Sequence, residues 1–357
     1  MIAHVIRHDL DKAVARLNGM WSTSDPMPIL TGILLSLEGD RLTLSAANGT
    51  LWGTTSIRAE GEPGQAVVDA KQFSALVRRL PQAEVKLKYA NETLTITSDK
   101  MKAELATMPA DDFPDAPKKG EQILHLASGQ LGDIVSRVGM CVKKDGAYSV
   151  FAGVLLQATT DGLYAVATDT SRLASMQLRG VIDMGEWIVP GESLLQAAKA
   201  VGDEVSVFAT DTHICLDSDD ATTYIQLLAG KFPDWDRVIP MGNNVAVTAN
   251  RKDLIGALER AVLFEDRGAM VVTLDVSDGI MVVTGKNTQT RSMFAEEVAC
   301  TEGIELRVAF QARFVLDALK AMGGDEATIL FNGEGGLNPA LIEEDGWQYV
   351  LMPVRSV

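Results

Sequence analysis

The residues able to do chemistry are few and scattered along this 357-residue chain. His4 and His8 stand four apart, a spacing that can seat a metal on one helical face. The apolar helical stripe begins only at Leu10, however, and no carboxylate partner is evident, so they read as a surface pair. His125 and His213 stand alone. The pair Asp111-Asp112 and the run Glu343-Glu344-Asp345 could hold Mg²⁺ in a nuclease, but solvated turns are the plainer reading. Neither GxGxxG nor GxxxxGK[ST] occurs in a fitting context, so nucleotide chemistry has no visible site. Cys141 abuts an apolar helix end and reads as a buried structural thiol. No catalytic residue, metal or cofactor is expected.

The remaining candidates are basic. The chain as a whole is acidic, with 48 Asp and Glu against 32 Lys and Arg, a net charge of −16. That disfavours adhesion to nucleic acid over the whole surface and leaves room for a local basic face. Apolar residues at 46% and charged residues at 22% describe a globular chain. The first residues lack a signal-peptide core, no run of 18 apolar residues occurs, and three scattered cysteines suit a reducing cytosol. A cytoplasmic location is the expectation.

The elements that must position these bases repeat. Leu10, Ala13, Val14 and Leu17 form a helical stripe that returns as Leu131, Ile134, Val135, Val138 and as Leu254, Ala257, Leu258, Ala261, at offsets of 121 and 123. A second stripe, Phe73, Leu76, Val77, Leu80, returns as Leu194, Ala197, Ala198, Val201 and as Val315, Ala318, Leu319, Met322. Hairpin patterns lie between the helices, with turns marked by Asp161-Gly162 and Asp278-Gly279, and the third copy's strand runs from Met270 to Val276. Each copy should hold two helices and about eight short strands. The fold class is α+β in three tandem units, at 1–119, 120–243 and 244–357, joined through Asp115–Gly120 and Ile239–Asn244.

Register then makes the charges readable. Arg16, Arg137 and Arg260 share one position of the first helix, and Arg78, Lys199 and Lys320 share one position of the second, off the apolar stripes. The stretch from Ala70 to Leu80 carries Lys71, Arg78 and Arg79 and no acid. The plain alternative is solvated helix faces with i,i+4 partners. The sharper reading is a basic wall that meets phosphates without reading bases.

Five motifs in order now carry a resemblance: Met27-Pro28-Ile29-Leu30; Met108-Pro109-Ala110-Asp111-Asp112-Phe113-Pro114; Ala167-Thr168-Asp169-Thr170-Ser171-Arg172-Leu173-Ala174; Phe232-Pro233-Asp234-Trp235-Asp236-Arg237-Val238-Ile239-Pro240; and Tyr349-Val350-Leu351-Met352-Pro353-Val354-Arg355. The chain resembles the bacterial DNA polymerase III β subunit, or sliding clamp, family along its whole length. The resemblance implies a head-to-tail homodimer that closes a ring around double-stranded DNA, bound topologically and without sequence preference. It places Arg16, Arg78, Arg79, Arg137, Lys199, Arg260 and Lys320 toward DNA, with Lys143 and Lys144 in a DNA-facing loop that compensates for a base absent at Ser24.

The same resemblance implies a partner-peptide groove of Phe151, Thr168, Arg172, Leu173, Pro233, Arg237, Val238, Val350, Met352 and Pro353, with Arg172 and Arg237 at its rim. DNA polymerase and clamp-loader tails would dock there. Leu263 and Phe264 would meet the region of Leu105 on the second protomer. Thr170-Ser171 stands where family members usually carry Gly-His. Two alternatives remain: an acidic metal-dependent nuclease, and a clamp-like adaptor that does not encircle DNA. A ring should repeat its bases in every unit, whereas an active site breaks the symmetry at one place.

Overall fold

The computed structural model describes residues 1–357 except 25, 82–83, 146–148, 161, 179–183, 265–270, 288, 302–304, 333–337 and 356–357. Asp161 and Met270, named above as a turn and a strand residue, lie outside the described residues.

The first copy contains β1 (Ile2–Ile6), α1 (Arg7–Arg16), β2 (Gly32–Glu38), β3 (Arg41–Ala47), β4 (Leu51–Arg58), β5 (Glu60–Glu62) and β6 (Gly64–Asp69). It continues with α2 (Ala70–Val77), β7 (Glu84–Ala90), β8 (Thr93–Ser98) and β9 (Met101–Met108). The second holds β10 (Glu121–Leu126), α3 (Gln130–Asp133), β11 (Gly153–Thr159), β12 (Gly162–Thr168), β13 (Arg172–Leu178) and β14 (Gly185–Pro190). Then come α4 (Gly191–Ala200), β15 (Val205–Ala209), β16 (His213–Asp217) and β17 (Thr222–Gln226). The third runs β18 (Val245–Asn250), α5 (Arg251–Val262), β19 (Val271–Ser277), β20 (Ile280–Asn287), β21 (Ser292–Ala299) and β22 (Leu306–Gln311). It closes with α6 (Ala312–Ala321), β23 (Glu326–Phe331), β24 (Ala340–Glu344) and β25 (Trp347–Leu351).

The helix stripes do what their spacing demands. Leu10, Ala13, Val14 and Leu17 are buried, as are Leu254, Ala257, Leu258 and Ala261 in the third copy. The second helices α2, α4 and α6 start at Ala70, Gly191 and Ala312, 121 residues apart each time. Asp69 caps α2 by accepting the Gln72 amide, and Asn250 caps α5. Asp278 and Gly279 both take positive φ, as a two-residue hairpin between Ser277 and Ile280 requires.

One helix departs from its stripe. After α3 the chain widens into a π turn over Ile134–Val138 and then tightens into a 3₁₀ turn over Gly139–Cys141. Gly132 and three β-branched residues weaken the α form there. The Trp347 indole also donates to the Arg137 carbonyl at 3.2 Å, giving that acceptor a partner from far along the chain.

The chain divides into two compact units. One comprises Met1–Gly132 and Val189–Leu228; the other comprises residues 133–178, Met184–Ile188 and residues 229–355, each without the residues excluded above. Each unit contains one sheet that runs from one copy into the next. In the first unit the order is β10-β15-β16-β17-β4-β3-β2-β6-β9-β8-β7-β1-β5. In the second an eight-stranded sheet runs β14-β11-β12-β13-β25-β24-β23-β18, beside a four-stranded sheet β21-β20-β19-β22. The joints between copies are therefore hydrogen-bonded ladders, β17 on β4 and β13 on β25. Two of the motifs meet in the first unit's core: Leu30 and Phe113 pack with Ala47 and Val67, and Ile29 and Met108 lie against them.

Candidate functional site

The groove residues gather in the second unit. Antiparallel pairing sets Thr168 opposite Leu173 and Leu173 opposite Val350, so the three form one row across β12, β13 and β25. Leu173 and Val350 are buried and Thr168 is half-buried. Beyond β25 the Met352 amide donates to the Ser171 carbonyl at 3.0 Å, tying the chain's last segment to the turn before β13. The motif at 232–240 lies against the same sheet. Phe232 is buried edge-to-face on Phe151, and Trp235 packs on Tyr164 and donates to Gln157 at 2.8 Å. Trp235 opens a 3₁₀ turn, Trp235–Val238, that leaves Val238 45% and Met352 38% exposed. Pro233 and Arg237 are exposed as well, and Pro353 is half-buried. Apolar atoms standing in water on a rigid sheet are what a short peptide needs.

Arg172 is not at the rim. Its side chain is 6% exposed and lies beneath the turn it follows. Nε donates to Asp169 at 3.0 Å, Nη1 to Asp317 at 2.7 Å and to the Tyr349 hydroxyl at 3.3 Å, and Nη2 to the Met140 carbonyl at 2.7 Å. The guanidinium also lies 4.2 Å over the Phe314 ring. Burial opposes its charge, but the facing Tyr349 and Asp317 outweigh it and the pKa rises above the ordinary arginine value. The five donors of an arginine fork are nearly all spent inside the protein. Arg172 braces the turn before β13 from within, and only Arg237 of the two arginines faces solvent. Sequence reasoning missed Asp169, Asp317 and Tyr349 as its partners, because two of them lie far along the chain.

The repeated bases are engaged to different degrees. Arg16 pairs with Asp220 at 2.5 Å, Arg137 with Glu344 at 2.8 Å, and Lys320 with Glu259 at 2.6 Å. Arg260 holds Glu296 through two bonds, which lower the Glu296 pKa. None of these partners stands at i,i+4. Arg78 and Arg79 lie just past the end of α2, Arg78 as its C-cap and Arg79 donating to the Ala75 carbonyl at 2.9 Å. Lys143, Lys144 and Lys199 are exposed. No carboxylate pairs with Arg78, Arg79, Lys143, Lys144 or Lys199 among the described residues.

Residues 1–117, 125–234 and 236–355 match the N-terminal, central and C-terminal domains of the DNA polymerase III beta subunit. The chain belongs to the DNA polymerase III beta subunit family. It is similar to the beta sliding clamp of Pseudomonas putida, 26% identical over 362 residues and 98% of each chain. The beta sliding clamp of Bacillus subtilis is 26% identical over 360 residues, covering 94% of each. Among solved structures, the DNA polymerase III subunit beta of Pseudomonas aeruginosa superposes with a TM-score of 0.92 at 25% identity over the whole of both chains. A sliding clamp of that organism bound to griselimycin superposes at 0.94 and 25%, again over the whole of both chains.

Within this beta-subunit fold the position departing from Gly-His is conformationally special. Thr170 has φ +78°, the left-handed region that glycine enters freely and a β-branched residue enters at a cost. The turn is fixed by its neighbours. The Thr170 amide donates to the Thr168 hydroxyl at 3.1 Å, and Asp169 accepts from the amides of Ser171 and Arg172.

The dimer candidates lie beside open strand edges. Leu263, the C-cap of α5, is 81% exposed, and Phe264 stacks at 5.4 Å on Phe294 of β21. Leu105 is half-buried on β9. Strand β9 pairs with β8 over Met101–Ala106, and with β6 only at Thr107 and Met108.

The remaining candidates have ordinary employment. His4 lies 3.3 Å from Glu84, a partner on the neighbouring strand β7 that the sequence did not reveal, and His8 sits in the first turn of α1. Glu343 accepts from Gln348, and Glu344 accepts from Arg137 and from the amides of Gly323 and Gly324. The acidic run at 343–345 therefore has its first two carboxylates committed. No helix among the described residues is long and apolar enough to cross a membrane.

Proposed function

We propose that this chain is a DNA sliding clamp, a non-catalytic processivity factor whose head-to-tail homodimer encircles duplex DNA. It would work in the cytoplasm and tether the replicative polymerase and the clamp loader through their short tails. The domain limits 1–119, 120–243 and 244–357 belong to this reading.

The observation that carries it is the repetition of the joint. β4 of the first copy pairs with β17 of the second, and β13 of the second pairs with β25 of the third. A 121-residue offset relates β4 to β13 and β9 to β17, and order within the copies makes β21 the third equivalent of β4 and β25 the third equivalent of β9. Two of the three equivalent ladders are formed within the chain. The members left over, β21 and β9, each keep an open edge among the described residues. A second copy satisfies both edges with the same joint, and two-fold closure then leaves no member of this joint unpaired. Exposed Leu263 and half-buried Phe264 beside β21 supply apolar contact to that joint.

Partner tails with a glutamine anchor and two bulky apolar residues suit the surface around Val238, Met352 and Pro353. Arg78, Arg79, Lys143, Lys144 and Lys199 supply sequence-independent charge for phosphates. The test is retention on nicked circular DNA after loading. Dimers should stay on circles through a high-salt wash and leave once the DNA is cut. Equal loss from circles and linear duplex contradicts encirclement.

A further inference from the structure

We infer that the helix pair of the first domain holds the duplex phosphates more strongly than the equivalent pair of the third domain, which contributes little. The inference rests on the clamp reading above and concerns where in the ring usable charge lies.

The sequence-equivalent helices are not electrically equivalent. From Arg7 to Arg16 and from Ala70 to Leu80 there are six bases (Arg7, Lys12, Arg16, Lys71, Arg78, Arg79) and two acids (Asp9, Asp11). Arg7 is spent on Asp11 and the Arg78 carbonyl, and Arg16 on Asp220. Lys12, Lys71 and Arg78 are exposed and their side chains have no carboxylate or carbonyl partner among the described residues, while Arg79 donates to the Ala75 carbonyl. The contact of Arg7 with the Arg78 carbonyl sets the start of α1 beside the end of α2. Lys71, Ala75 and Arg78 follow i, i+4, i+7, as do His8, Lys12 and Ala15 on the neighbouring helix, and all six are exposed. The result is one basic face with small alanines between the charges, about 10 Å long at 1.5 Å per residue.

In the third domain the equivalent helices carry five bases and three acids, and every base has a partner. Lys320 pairs with Glu259, Arg260 with Glu296, Lys252 with Asp325 at 3.5 Å, and Arg313 with Asp317 at 4.0 Å. Arg251 gives its guanidinium to the carbonyls of Leu319 and Gly324. A phosphate approaching this face must displace carboxylates that repel it, whereas at Lys71 or Arg78 it displaces only mobile counterions. Counterion release at unpaired bases drives such binding.

The experiment measures affinity for a short fluorescent duplex by anisotropy across a salt series, with full-length protein. Lys71→Gln with Arg78→Gln should flatten the plot of log K against log salt by about 0.9 for each phosphate that is no longer neutralised. Arg260→Gln with Lys320→Gln should change the slope by less than half as much. Glu296→Gln, which frees Arg260, should steepen it. Lys71→Arg with Arg78→Lys, which keeps both charges, should restore the wild-type slope; failure to do so overturns the inference by tracing the loss to altered fold. Equal flattening by the two Gln pairs, with wild type still retained on closed circles, overturns the inference alone. A wild type not retained on closed circles overturns the clamp reading, and this inference with it.

Discussion

Arg172 and Asp317 join strand β13 to helix α6 through a 2.7 Å ion pair, and the same guanidinium fastens the turn at Asp169 and the carbonyl of Met140. One side chain thus braces the turn before β13 from within. Removing either partner takes away the shorter of the ion pairs that offset a largely buried guanidinium. Asp317→Ala should cost about 3 kcal/mol in urea melts. Arg172→Met should cost more, because it strips donors from Asp169, Asp317 and Met140 together.

Peptide affinity and fold stability should separate along the groove. Val238→Ala and Met352→Ala remove exposed apolar atoms, and each should cost about 1–3 kcal/mol of affinity for a clamp-binding peptide while leaving the melt unchanged. Leu173 and Val350 lie inside the sheet, so Leu173→Ala should lower stability by about 2–4 kcal/mol. Titration of a labelled peptide beside thermal melts of each variant checks both halves.

The contrast between those two pairs marks how far sequence could reach. Stripe periodicity found where the α-helices lie, although only Leu131 of its stripe falls on α3 itself, and the 121-residue register found the copies, because both are local signals repeated at a distance. The partner of an edge strand is not a local signal, so β17 on β4 and β13 on β25 could not be read. Arg172 opens a strand in which only Gln177 is exposed, which hides the alternation that would have shown it pointing inward. The carboxylates on Arg16, Arg137 and Arg260 lie 204, 207 and 36 residues away, outside any helical spacing rule. The Trp347 indole that donates to the Arg137 carbonyl in the π turn after α3 is equally remote. Lys12 could have been found, since it shares an exposed helical stripe with His8 and Ala15.

The thiols should report their burial. Burial pushes Cys141 well above the ordinary thiol range and Cys215 up to about 12, and it raises the half-exposed Cys300 as well. Native protein at pH 8 should therefore be alkylated at Cys300 alone, with Cys141 and Cys215 reacting only after unfolding. A raised folded pKa means the contribution is complete below the unfolded value, about 8.5, and is lost as pH climbs toward the folded one. The urea midpoint should fall above about pH 9, and less so in Cys141→Ala.

Thr170→Gly should stabilise the chain. The left-handed φ costs a β-branched residue about 1–2 kcal/mol, and glycine returns about 0.4–1 kcal/mol of that through the freer unfolded chain. The exposed side chain loses no packing, and the Thr170 amide bond to Thr168 does not depend on it. A net gain near 0.5–1 kcal/mol in the urea midpoint is expected. A loss would show that the threonine side chain, not the turn, is what this position requires.

The open edges of β9 and β21 make the sharpest test of assembly. If the third joint copies the other two, β21 pairs antiparallel with the partner's β9, and the centres of the strands bring the Phe294 region opposite Leu105. Leu263, 81% exposed at the end of α5, adds apolar surface to the joint without supporting its own fold. Phe264 is a poorer choice for substitution, because its ring already packs on Phe294. Leu263→Asp should therefore give folded protein of about 38 kDa by light scattering, where wild type gives twice that mass. Leu105→Pro places an imide in a strand with one open edge and removes an amide donor, and should break the same joint. The two substitutions lie on opposite partners of one interface, so mixing the two mutant chains leaves one interface of each ring intact and one doubly damaged. Such mixtures should form open dimers that bind peptide and slip from circular DNA. Closed, salt-resistant rings from either variant would place the interface elsewhere.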